Sequence, residues 1–224
     1  MFQFIYKGRF DCLISKQEYE TYVMKLYNDM KTRLGIKWSP KKFVITFESD
    51  PNRKKGIGGS TDYDRKTDIV HRLHLQLFGY PKKEQTFDLI QQMFGDTLTH
   101  EMLHFFIPSV KDNSCWSEGV TDFMTFWYSD SIEENLHRVK QQYKHIEDPD
   151  YKQHLYGYIT GFKKMATLYK ESPSVIDDMK RIIKEFNTDE AKKHDHTASD
   201  IIAYNSNFKT FFTGKCNRHI PHVL

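Results

Sequence analysis

The sequence predicts an α+β fold, with a small mixed sheet in its first half and an all-helical second half. Two observations predict it. Up to about residue 78, short runs of aromatic and β-branched residues surround one stretch of helical periodicity; from about Thr86 onward the apolar spacing is helical. No internal repeat or low-complexity tract interrupts that order. A chain of 224 residues, 38% hydrophobic and 15% aromatic, has enough apolar material for a buried core.

The elements follow in order. Phe2 to Phe10 is rich in aromatic residues and predicts an opening strand. Ser15 to Leu34 predicts a helix: Ser15 is a candidate N-cap with Glu18 three residues on, and Gly35 stands at the C-terminal stop. Tyr19, Tyr22, Val23, Leu26, Tyr27, Met30 and Leu34 form its apolar stripe. Phe43 to Phe47 is a short strand closed by Asp50-Pro51-Asn52. Lys54 to Asp64, with Gly56, Gly58 and Gly59 among charges, reads as a mobile loop. Ile69 to Phe78 alternates in part and predicts a strand with one wet face, on which His71 and His74 would be solvated. Phe87, Ile90, Phe94, Leu98, Met102, Phe105 and Phe106 then recur at helical spacing up to Pro108. Further helices are expected at Ser117 to Ser129, Ile132 to Ile146, Tyr151 to Lys170, Ser174 to Phe186 and Ala198 to Phe212. The bend His194-Asp195-His196 is expected to be exposed.

Charge and cysteine content narrow the class. Thirty-three Lys and Arg nearly cancel 30 Asp and Glu, and the net charge of +3 is too small and too evenly spread to indicate a nucleic-acid partner. No run of eighteen apolar residues exists, so no membrane partner is expected. Met1 to Lys7 lacks the apolar core of a signal peptide, which points to a cytoplasmic location. Cys12, Cys115 and Cys216, widely separated, read as free thiols.

The chemistry concentrates in the long helix before Pro108. His100-Glu101-Met102-Leu103-His104 is an H-E-x-x-H motif. Positions i and i+4 share one helical face, so both imidazoles can reach one metal ion, while Glu101 projects beside that face, free to act as a base. A catalytic zinc needs a third protein ligand. The pattern H-E-x-x-H-x-x-G-x-x-H would need Gly at 107 and His at 110, but Ile107 and Val110 stand there. In the next helix Glu118 follows His104 after a turn-sized interval, and beside H-E-x-x-H it becomes the candidate third ligand. Asp122, one turn beyond Glu118, can accept the free ring N–H of a ligating histidine.

His100, Glu101, His104, Glu118 and Asp122 together resemble the gluzincin metallopeptidases, the thermolysin-like and aminopeptidase-N-like superfamily. The Glu118-x-x-x-Asp122 pair is similar to the thermolysin pattern, and Trp116-x-Glu118-Gly119 looks more like the aminopeptidase-N and glycyl-aminopeptidase branches. Those branches carry a Y-x-x-G motif on a later helix, matched here by Tyr158-Ile159-Thr160-Gly161. The likeness runs from Thr97 to Gly161, and the G-x-M-E-N motif of the aminopeptidase branches is absent.

The resemblance implies a zinc-dependent metallopeptidase in minimal form. One zinc per chain would be held by His100, His104 and Glu118, with Glu101 as general base, Asp122 orienting a histidine, and Tyr158 stabilising the oxyanion. Tyr156 is the alternative for that last role. The expected organisation is an α/β lobe (1–110) carrying the motif and a helical lobe (111–224) carrying Glu118 and the tyrosine, with zinc in the cleft between them. The expected partner is a peptide or protein substrate, and the strand Ile69 to Phe78 is a candidate for pairing with it. Exopeptidase and endopeptidase action, a zinc hydrolase of other substrates, and a non-catalytic binding module on the same scaffold all stay open, as does the oligomeric state.

Overall fold

The computed structural model describes residues 2–8, 15–54, 56–80, 87–111, 113–135, 137 and 149–213, with the backbone alone for 87–94 and 149–154. The fold is mixed α+β, and the chain divides into two compact units, Met1–Phe105 and Phe106–Leu224. Among the described residues, no helix is long and apolar enough to cross a membrane.

The first unit is a four-stranded sheet in the order β1-β2-β4-β3 with helices on one face. β1 (Phe2–Gly8), β2 (Lys42–Asp50) and β4 (Ile69–Phe78) run parallel, and β3 (Gly56–Asp64) is antiparallel to β4. Helix α1 (Lys16–Leu34) bears out the capping signals. The Ser15 hydroxyl accepts the Glu18 N–H, the Glu18 carboxylate accepts the Ser15 N–H, and Gly35 closes the helix at φ 68°. Only glycine enters that left-handed region without a Cβ penalty.

Cross-strand register sets the buried face. Phe4, Ile45 and Leu73 align, as do Tyr6, Phe47 and Leu75. Tyr19 and Tyr27 of α1 meet Phe47 and Phe43 edge-on at 5.2 and 5.7 Å, which seats α1 on that face. Phe43 also meets Phe105 at 4.9 Å, so α2 (Phe87–Phe106) covers the same face. Phe43 thus joins both helices to the sheet, and each such ring pair adds about 0.5–1.5 kcal/mol beyond area burial.

β4 contains a bulge. Against both neighbours, three steps from Val70 to Leu73 match two steps of the partner strand. The extra residue brings Val70 into phase with Leu73, Leu75 and Leu77, all fully buried, and leaves His71 and Arg72 consecutive and exposed. On the opposite face His74 is 8% exposed and its Nε2 lies 2.9 Å from Glu48 Oε2 of β2. The expectation of a solvated His74 is therefore corrected: it is buried, with a carboxylate of the neighbouring strand beside it.

Two further expectations change. Lys54 to Asp64 is not a loop beyond residue 55 but the strand β3; pairing with β4 supplies the backbone partners that its glycine-rich sequence obscures. And β4 lies between β2 and β3, so its backbone groups are already paired and it has no free edge for a substrate.

The described elements of the second unit are helical apart from one isolated bridge. A π-helical turn (Cys115–Val120) leads directly into α3 (Thr121–Tyr128), followed by α4 (Pro149–Glu171), α5 (Val175–Phe186), α6 (Ala198–Tyr204) and α7 (Lys209–Phe212). Of the helix expected at Ile132 to Ile146, residues 132–135 and 137 are helical and the others lie outside the described residues. The helix expected across Ala198 to Phe212 is broken at Asn205. This residue is extended (φ −146°, ψ 108°), and its side chain accepts the Asn207 N–H at 2.9 Å, a local bond that competes with continuing the helix. The break turns Phe208, Phe211 and Phe212 onto Trp116.

α4 and the π-helical turn meet backbone to backbone. A Cβ on Gly161 would fall inside van der Waals distance of the Cys115 carbonyl oxygen and 2.8 Å from Gly119 Cα; one on Gly157 would lie 2.8 Å from Ser114 Oγ. Gly161→Ala should therefore cost at least about 1–3 kcal/mol of overpacking. Gly95→Ala, whose Cβ would meet, among the described residues, only the Tyr22 hydroxyl at 3.4 Å, should be neutral or gain up to about 1 kcal/mol of helix propensity. Thermal unfolding of the two variants checks this, and equal melting shifts would contradict it.

Candidate active site

The last two turns of α2 carry the motif. His100 and His104 stand one turn apart with their Nε2 atoms 2.9 Å from each other, ring centroids 4.6 Å apart and planes crossed at 81°. Ring nitrogens at this distance share one hydrogen bond in which either can be the donor. With both rings neutral and carrying their proton on Nδ1, the same arrangement brings two nitrogen lone pairs to one place, the donor chemistry that suits zinc.

Glu101 is 6% exposed and is engaged by β3. Thr61 Oγ1 lies 2.7 Å from Glu101 Oε2 and 3.0 Å from the Glu101 carbonyl oxygen. At Gly59, two residues earlier on the same face of β3, an added Cβ would come within 2.6 Å of Glu101 Oε1 and 2.7 Å of its Cγ. The carboxylate thus occupies the space that a side chain at position 59 would fill. Thr61 and Gly59 are functional candidates that sequence reasoning missed. The glycine cluster is the visible signal, and by composition alone it reads as a loop.

In the second unit, Glu118 sits in the π-helical turn, a local form that recurs at functional sites. Fixed points surround it. Asn113 Oδ1 accepts the Trp116 N–H at 2.9 Å, and Trp116 Nε1 donates to the Pro108 carbonyl oxygen at 2.8 Å. The indole is fully buried, with Phe208, Phe211 and Phe212 centred 5.3–5.5 Å away. Gly119, next to Glu118, meets Gly161 of α4. Asp122 is half-buried in the first turn of α3.

Tyr158 is half-buried on α4 between Gly157 and Gly161, the two glycines at which that helix touches residues 114–119. Tyr156 is 36% exposed. The first unit thus brings His100, Glu101 and His104 together on one helix. The second carries Glu118 and Tyr158 on two segments interlocked through glycine.

No protein-family model matches this chain, and no curated protein does.

Other candidates resolve locally. His71 is exposed, as expected. His196 is 7% exposed and packs edge-on against Phe186 at 4.6 Å, correcting the expectation that the whole bend 194–196 is exposed; a bridge between Val110 and His196 draws that segment inward. Cys115 is buried and disulfide-bonded, which corrects its reading as a free thiol. Spatial proximity rather than spacing along the chain decides such pairing.

Asn113→Ala should remove the side-chain acceptor at the start of the π-helical turn and cost about 1 kcal/mol. For a chain of this length that is a fall of about 2–4 °C in Tm, read by thermal unfolding. An unchanged Tm would show that this bond does not hold the turn.

Proposed function

We propose that this protein is a zinc-dependent metallopeptidase. One zinc per chain would be held by His100, His104 and Glu118, with Glu101 as general base. The observation that carries the reading is the division of labour within the motif. The two imidazoles converge to 2.9 Å, while the glutamate between them is held on β3 by Thr61. A purely structural metal site has no use for such a carboxylate. Glu118 is offered as the third ligand because it is a carboxylate held in the π-helical turn of the second unit.

Two neutral nitrogens and one carboxylate oxygen form a borderline donor set that fits zinc. Zinc bound there would supply Lewis-acid polarisation of the scissile carbonyl and make water acidic enough to lose a proton near neutral pH. Glu101 takes the proton from the attacking water and delivers it to the leaving amine. Asp122 accepts a ring N–H from a ligating histidine, and Tyr158 donates its phenol O–H to the developing oxyanion. The substrate is a peptide or protein. Among the described residues β3 is an edge strand, so its outer backbone groups can pair with an extended peptide close to Glu101.

Glu118→Ala should bind less than stoichiometric zinc by elemental analysis. Glu101→Gln should keep its zinc and lose hydrolysis of a mixed peptide library. Cleavage at the wild-type rate in Glu101→Gln would refute the reading. Tyr158→Phe should lower kcat by roughly 10²–10³ with zinc retained and KM little changed, and Tyr156→Phe should be nearly silent. The reverse ranking would move the oxyanion donor to Tyr156.

A further inference from the structure

We infer that Thr61 and Gly59 of β3 form a dedicated cradle that orients the Glu101 carboxylate, with Thr61 as a positioning residue for the base. The inference rests on the metallopeptidase reading for its catalytic consequence but not for its geometry. A glutamate side chain has three rotatable bonds, and a base must hold one oxygen toward the proton it takes. Here the chain is fixed at both ends of its carboxylate. Oε2 is bound by the Thr61 hydroxyl at 2.7 Å, and Oε1, Cγ and Cδ lie along the Cα of Gly59, 2.6–2.9 Å from where its Cβ would be.

The residue types follow from that task. Thr61 has one proton to give and two acceptors in reach, the carboxylate oxygen and the Glu101 carbonyl oxygen at 3.0 Å. The charged oxygen is the stronger acceptor and takes the bond. When the carboxyl carries a proton, the hydroxyl can turn to the carbonyl and accept from Oε2, so Glu101 keeps a partner through the cycle. A β-branched residue also limits its own rotation, which a serine does less well. Gly59 gives close backbone approach rather than a turn: no left-handed φ is recorded there, and the space it vacates is filled by Glu101. Because Thr61 pairs with Leu73 and Gly59 with Leu75, the cradle is in register with the most deeply buried part of β4 and cannot slide.

Three variants test this. Thr61→Val keeps shape and loses the hydroxyl, Thr61→Ser restores the hydroxyl, and Gly59→Ala fills the cradle. Thr61→Val and Gly59→Ala should retain one zinc per chain and lower kcat by about 10–100-fold with KM within about twofold, the scale expected for a misplaced base. Thr61→Ser should recover most of the loss. The second readout uses metal-free protein. Thr61→Val and Glu101→Met should each shift Tm, and the double variant should shift it by clearly less than the sum, because each deletes the same Thr61–Glu101 hydrogen bond. Additive shifts, or a Thr61→Ser no better than Thr61→Val, would overturn the inference. If the wild type cleaves nothing, the metallopeptidase reading fails, while the metal-free cycle still reports whether Thr61 holds Glu101.

Discussion

A carboxylate buried on an apolar helix is the constraint from which most of the first unit follows. Glu101 is nearly inaccessible among Leu98, Met102, Leu103 and Phe105, all buried. Leaving such a group without partners costs several kcal/mol, whereas a hydrogen bond to a charged acceptor contributes about 1.5–3 kcal/mol. That bond requires a donor from the sheet within 3 Å, which brings β3 close beneath α2 and leaves no room for a side chain at position 59. A glycine-bearing strand is weak by itself. It is held because its partner β4 presents Leu73, Leu75 and Leu77 to the core, each contributing about 1.5–3 kcal/mol by burial.

The second unit solves a similar problem with a different material. Glu118 must be fixed although it lies in the π-helical turn that leads into α3, where the hydrogen-bond ladder departs from the α pattern. Two anchors compensate. The Trp116 indole is closed in by three phenylalanines and bonded to the Pro108 carbonyl oxygen. Gly119 is pressed against Gly161 of α4, and Ser114 against Gly157. Further along, buried Asp178 accepts from Arg181 and from Asn207, tying α5 to the segment that delivers the phenylalanines. The anchoring of residues 115–120 thus reaches the last described helices.

Much of this was legible from sequence because it is written locally. The Ser15–Glu18 capping box and Gly35 bounded α1 correctly, and the ten residues Ile69–Phe78 form the strand that their alternation predicts. H-E-x-x-H placed two imidazoles together because helical geometry alone guarantees it. What stayed hidden depends on partners distant along the chain. β3 looks like a loop in sequence since its Gly59 serves a residue 42 positions later, and His74 looks solvated since Glu48 lies on another strand. Thr61 had no signature at all, because a single threonine acquires meaning only beside the carboxylate it binds. Gly161 is the intermediate case. A helix-weakening glycine three residues after Tyr158 signalled close approach, but not that the Cys115 carbonyl makes it.

The bulge in β4 also bears on how this sequence can change in length. Between Val70 and Leu73 the strand already holds one residue more than its neighbours on either side. Losing one residue there would restore an ordinary ladder with the same leucines inward. Losing one after Leu73 would instead turn Leu75 or Leu77 outward and present His74 or Gln76 to the core. A one-residue deletion should therefore be tolerated at His71–Arg72 and not in the five residues that follow, making the bulge the natural place for this strand to shorten.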